Sequence, residues 1–270
     1  MEKYLKAFSI CLLFLALQLA TGLLAGGYIA LNKMNIGNDG GGNAANHLTI
    51  VMILTVVLAN ILCVAVLHKL KLIDWSTIRV NKGMTPKVWA ISIVGALGVI
   101  FFTNFVGEQC HLNDSLQELL LDMASSWLGV LAIGVLGPIC EELVFRTGIM
   151  GYLMRNGVSN WIAILFSAFL FGLIHMNAAQ IPFAMIMGVV FGMIYVRTGS
   201  VVIPIALHIL NNMSSALLMH YYGYDIVDKT MADVFGGVYL TATLAFVFGC
   251  VGVWLLRLLW VNYNVYSHTK

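Results

Sequence analysis

Long apolar runs alternate with short polar connections along the whole chain. A spanning helix needs about 20 mostly apolar residues. Eight stretches qualify as candidates: 7–30, 48–67, 88–106, 127–153, 161–176, 181–196, 201–219 and 238–261. The first is too long for the apolar core of a typical signal peptide and is read as a retained span. The fifth is short for a full crossing. The segment that follows it, NAAQIP, is predicted to sit within membrane depth, which is tolerated only where backbone lines a cavity or is buried in protein. Between the third and fourth spans, Leu112, Leu116, Leu119, Leu120 and Met123 recur at helical spacing. That pattern predicts a short amphipathic helix on the membrane surface. The stretch NIGNDGGGNAAN after the first span reads as a solvent-facing loop. GxxxG spacing at Gly22/Gly26 and Gly188/Gly192 reads as close helix packing.

Composition agrees with this pattern. The chain has 270 residues, 60% of them hydrophobic and only 10% charged, against about 25% charged in a soluble domain. The fold class is therefore all-α, a polytopic membrane protein of about eight transmembrane helices. Three regions follow: 1–126 with the first three spans, 127–220 with spans four to seven, and 221–270 with the last span and tail. A net charge of +2 without basic runs gives no reason to expect a nucleic-acid partner. The five cysteines are odd in number, contain no CxxC and lie mostly in apolar runs, so they read as packing residues. Nearly all Lys and Arg fall at the two ends and in the second, fourth and sixth connections, while the other connections are acidic. With eight spans, that bias places both termini in the cytoplasm.

The second half holds a few strongly polar side chains inside apolar runs. These are Glu141, Glu142 and Arg146 on span four, His175 on span five, and His208, Asn211 and Asn212 on span seven. A charge at bilayer depth costs roughly 2.5–3.5 kcal/mol or more, so such residues mark function by default. Residues at i and i+4 share a helix face. Arg146 is therefore expected to pair with Glu142. Adjacent residues lie about 100° apart, so Glu141 is expected to point elsewhere and stay free. His208 and Asn212 share a face. A carboxylate can take a proton from water and return it to a leaving group. Two imidazoles with a carboxylate can hold a metal that acidifies water, and an amide can donate to an oxyanion. These pieces fit peptide-bond hydrolysis by an activated water. Singly, each histidine more often bridges helices, the asparagines could be interhelical glue, and Glu142–Arg146 could be a structural pair. Their joint occurrence favours a site.

These residues resemble the CPBP family, the CAAX proteases and bacteriocin-processing enzymes also called the Abi family. Its pattern is EExxxR, FxxxH and HxxxN on successive membrane helices. Here the three stand as Glu141-Glu142-Leu-Val-Phe-Arg146, Phe171-Gly-Leu-Ile-His175 and His208-Ile-Leu-Asn-Asn212. The resemblance implies an intramembrane endopeptidase whose catalytic residues are Glu141, Glu142, Arg146, His175, His208 and Asn212. In it Glu141 activates water with help from His175, and His208 and Asn212 form the oxyanion site or hold a metal. His175, His208 and Glu141 would suffice for Zn²⁺, though the resemblance does not require one. The expected partners are a peptide or membrane-anchored protein substrate and the lipid bilayer. The expected location is a bacterial plasma (inner) membrane. Bacteria make prenylated CAAX proteins rarely, which favours a leader peptide or an anchored regulator as substrate. Two alternatives remain at this point: a bacteriocin self-immunity or regulatory protein on the same fold, and a carrier that uses Glu141 as a proton site. His175, at the end of its span, must be brought down to Glu141 and His208, and the NAAQIP segment is the predicted means.

Overall fold

The computed structural model describes residues 1–35, 42–80 and 84–263, and among these it contains helices and no strand. Among the described residues, seven helices are long and apolar enough to cross a membrane, and an eighth apolar helix is shorter. In chain order they are α1 (Glu2–Asn35), α2 (Gly42–Lys69), α3 (Pro86–Gln109), the short α4 (Gln117–Ala124), α5 (Trp127–Arg155), α6 (Asn160–Leu173), α7 (Ile181–Thr198), α8 (Val202–Tyr222), the short α9 (Met231–Phe235) and α10 (Val238–Asn262). The chain is thus an all-α polytopic membrane protein. The helix expected to be short for a crossing is α6, with 14 residues. Half of the predicted loop at 35–46 lies outside the described residues, at 36–41. Positions 42–46 already form the first turn of α2, where the Ala44-Ala45 pair favours helix.

α5 runs through the centre of the bundle. α1 and α2 pack on it from one side, α6 and α8 from others. Large apolar residues on the outer helices point away from the bundle, among them Leu23, Leu24, Phe246 and Val253. This is the surface a bilayer covers.

Two helix pairs approach closely through glycines. A Cβ at Gly188 of α7 would meet Ala168 of α6 at 2.8 Å, and one at Gly252 of α10 would meet the Gly95 carbonyl of α3 at 2.7 Å. Such contacts let backbones touch where lipid supplies no hydrophobic drive. The Gly188/Gly192 spacing therefore works as expected. Gly22 and Gly26 do not, because a Cβ at either would meet nothing within 4 Å.

α5 is not a regular α-helix. Residues Ala132–Leu136 and Leu143–Met150 are π-helical, and the acidic pair sits in the α-helical turn between them. Pro138 gives a local cause for the first widening. It has no N–H to donate to Gly134, and its ring crowds the carbonyl four residues back.

Candidate active site

The second π stretch is buried along its whole length. Its first polar contact is the expected i,i+4 ion pair: Arg146 Nε donates to Glu142 Oε2 at 2.7 Å and Nη2 to Oε1 at 3.2 Å. Both side chains have no exposed surface. The guanidinium also lies 5.1 Å from the Phe171 ring centroid and 6.0 Å from that of Phe191, which shields a cation that hydrocarbon would not solvate.

His208 stands between the two glutamates. Its Nδ1 donates to Glu142 Oε1 at 3.1 Å, and its Nε2 lies 3.7 Å from Glu141 Oε2. The expectation that adjacent carboxylates must face different places is therefore corrected in part. An imidazole carries its nitrogens on diverging edges, so two side chains about 100° apart on one helix can flank a single ring. The expected division of roles is visible in the contacts. Glu142 accepts three hydrogen bonds from Arg146 and His208, whereas Glu141 Oε2 is buried without a hydrogen bond and its side chain is 20% exposed.

That exposure is to a cavity of about 500 Å³. α5 contributes Ile133, Gly137 and Glu141 to its wall. α8 contributes His208, Asn211 and Asn212, and the end of α6 contributes Phe171 and His175. His175 follows the last turn of α6, where its Nδ1 donates to the Phe171 carbonyl at 2.8 Å. A carbonyl only accepts, so the neutral ring keeps its lone pair on Nε2. Asn211 Nδ2 donates to Asn212 Oδ1 at 3.1 Å, which occupies the acceptor end of Asn212 and leaves its Nδ2 to donate elsewhere. Phe171 touches three of the polar residues. Its ring lies 5.1 Å from His175, 5.8 Å from His208 and 5.1 Å from Arg146.

The NAAQIP segment forms part of the compact connection from α6 to α7. Asn177 is buried in protein, and its Nδ2 donates to Asp114 Oδ1 at 2.7 Å. His175 thus reaches the cavity at the tip of the α6–α7 hairpin.

The predicted short amphipathic helix is present as α4, and Leu116, Leu119, Leu120 and Met123 line the cavity, whereas Leu112 is exposed. The helix is tied down at its C-terminal end by His220, whose Nδ1 donates to the Ala124 carbonyl at 2.7 Å. Tyr224 adds a bond to Asp122 at 3.1 Å. Periodicity reveals an apolar face but not whether lipid or protein covers it. Six other polar residues, Gln18, Asn60, Asn104, Asp114, Gln180 and Ser215, also line the cavity. The sequence offers one signal for the first two: each is the lone amide side chain in an otherwise apolar span.

Among the described residues, no three His, Cys, Asp or Glu side chains group closely enough to hold a metal ion. Glu142 occupies one nitrogen of His208 and a backbone carbonyl occupies one of His175. The donors His175, His208 and Glu141 line one cavity but do not form a coordination set. All five cysteines are free.

Comparison with known proteins agrees with this core. The chain is 30% identical over 118 residues to the membrane-embedded CAAX protease MroQ of Staphylococcus aureus (strain USA300), covering 42% of this chain and 47% of that protein. It is 29% identical over 100 residues to the putative membrane peptidase YdiL of Bacillus subtilis (strain 168), covering 37% and 41%. The match therefore spans less than half the length of either relative. No solved structure matches. Residues 123–214 match the type II CAAX prenyl endopeptidase Rce1-like family, and they hold the acidic pair, the arginine, both histidines and the asparagines. That segment is what this chain shares with the Rce1-like family.

Proposed function

We propose that this protein is an intramembrane endopeptidase that hydrolyses a peptide bond in a membrane-proximal substrate with a water activated by Glu141. One observation carries the reading. A sheltered carboxylate with an unpartnered oxygen faces a cavity that also presents His175, His208 and Asn212. Glu141 takes a proton from the water as its oxygen attacks the carbonyl carbon. Asn212 Nδ2, whose own oxygen is engaged by Asn211, donates to the oxygen that becomes negative. Glu141 then returns the proton to the amide nitrogen as the C–N bond breaks. His175 Nε2 is an acceptor available to orient the water. Glu142 and Arg146 touch no substrate in this scheme and position His208. His175, His208 and Glu141 are the donors a Zn²⁺ would be offered, but they do not group closely enough to hold one, and no step here depends on a metal. The Lys/Arg bias places the termini in the cytoplasm, and the bacterial relatives favour the plasma membrane.

The test is incubation of the purified chain in detergent with a pool of membrane-proximal peptides, with and without a chelator, and mass analysis of the products. Single internal cuts that persist with chelator support the reading. Cuts abolished by chelator would transfer the water to a metal. Absence of any cut by folded protein across the pool contradicts the assignment.

A further inference from the structure

Gln18 of α1 and Asn60 of α2 are each the one Asn, Gln or charged residue in a long apolar stretch, between Ala7 and Tyr28 and between Leu48 and Leu67. They meet: Gln18 Nε2 donates to Asn60 Oδ1 at 2.9 Å. Both line the cavity that holds Glu141. Asn60 is only 5% exposed, and its backbone carbonyl accepts from Cys140 Sγ at 3.6 Å, one residue before Glu141. The pair is therefore anchored against the turn that carries the glutamate. It lies outside the residues that match the Rce1-like family.

Interhelical glue explains a single bond between two helices, and such bonds contribute about 0.6 kcal/mol on average in a membrane. It does not explain why the pair faces the cavity or why its amides are half used. Two amides serving only each other can exchange two reciprocal bonds. Here, among the described residues, one forms, and Gln18 Oε1 and Asn60 Nδ2 are left without a partner. The remaining groups are an acceptor and a donor, which is the complement of a peptide unit's N–H and C=O.

The chemistry requires such a surface. A peptide bond must leave its helix to be attacked, and an extended backbone at membrane depth is out of bulk water and needs other partners for its polar groups. Each group left unmade there is costly. The wall of an intramembrane protease must therefore supply partners beyond those at the scissile carbonyl.

We propose that the Gln18–Asn60 pair is a docking site for the backbone of an extended peptide substrate, holding it beside Glu141. The proposal rests on the protease reading, so its test separates the two by reading retention as well as cleavage. The full chain carrying Glu141→Gln is immobilised in detergent and exposed to the membrane-proximal peptide pool, beside the same chain also carrying Gln18→Leu and Asn60→Leu. Melting temperatures are taken for both. We expect the first to retain a subset of peptides and the second to retain them about tenfold less or weaker still, the effect of losing two backbone bonds. On the wild-type background the same leucine substitutions should raise KM with kcat little changed. A merely structural role would lower the melting temperature and the apparent kcat, with KM little changed.

A second arm leaves the protein's amides intact. Each retained peptide is resynthesised with one N-methylated amide at a time. One or two positions should weaken retention on the Glu141→Gln protein, and this arm decides the matter if the leucine variants fail to fold. Equal retention with and without the amide pair overturns the docking site, as does an N-methyl series without a sensitive position or a failure of the Glu141→Gln protein to retain any peptide. Amide-dependent retention with no cleavage by wild type would uphold the docking site while overturning the protease reading.

Discussion

Glu142 and Glu141 are neighbours on α5, yet the regions they face differ in what surrounds the carboxylate. On the Glu142 side, Arg146 and His208 donate three hydrogen bonds to the carboxylate, Phe171 and Phe191 flank the guanidinium, and no solvent reaches either member of the ion pair. On the Glu141 side the side chain is 20% exposed, its buried Oε2 makes no hydrogen bond, and a cavity of about 500 Å³ begins. The residue type is the same, so environment assigns the roles. A carboxylate packed between an arginine and a histidine with no exposed surface has no room for a water, whereas one beside open volume has.

The largest expected effect breaks the comparison on its chemical side. Glu141→Gln should lower the rate of cleavage about 10²–10⁴-fold, the typical contribution of a general base, with the melting temperature little changed. Next comes the structural side. Glu142→Gln leaves Arg146 buried without its counter-charge and should cost about 3–5 kcal/mol of stability. The double variant Glu142→Gln/Arg146→Met should recover part of that loss, because no uncompensated charge remains. Thermal melts in detergent of the single and double variants check this. Asn212→Ala should lower kcat about 10²–10³-fold through loss of an oxyanion donor, with the fold intact; kinetics on any cleaved peptide would measure it.

A smaller effect separates the packed glycines from the free ones. Gly188→Ala drives a methyl into Ala168 and should destabilise by about 1–3 kcal/mol. Gly22→Ala meets open space and should be neutral or stabilising by up to about 1 kcal/mol. Melting temperatures of the two variants give the contrast directly.

Much of this was legible in the sequence because a bilayer imposes strong rules. Hydropathy located every long helix, since a spanning segment must be long, apolar and internally hydrogen-bonded. The i,i+4 rule found Glu142–Arg146, and intramembrane polarity singled out His175, His208 and Asn212, all of which line the cavity or touch Glu142. Three features were not legible. The π-helical stretches on either side of the acidic pair change the faces that α5 presents, and Pro138 hints at the first only in hindsight. The burial of α4 over the cavity depends on α8 and on His220, which are distant in sequence. Gln18 and Asn60 look like isolated helix glue until α1 and α2 are packed together, because a lone amide in a span does not disclose what it faces. The GxxxG reading succeeded at Gly188 and failed at Gly22 for a related reason: spacing shows that a helix can be approached closely, not that a neighbour is there.

The central claim is that Glu141 carries the chemistry while Glu142 holds the structure. Its most direct test is a paired measurement of cleavage and thermal melting on Glu141→Gln and Glu142→Gln, beside wild type, in the same detergent. Glu141→Gln should melt like wild type and not cut, and Glu142→Gln should melt well below wild type. A Glu141→Gln protein that cuts at the wild-type rate, or one that is inactive only because it is unfolded, would contradict the claim.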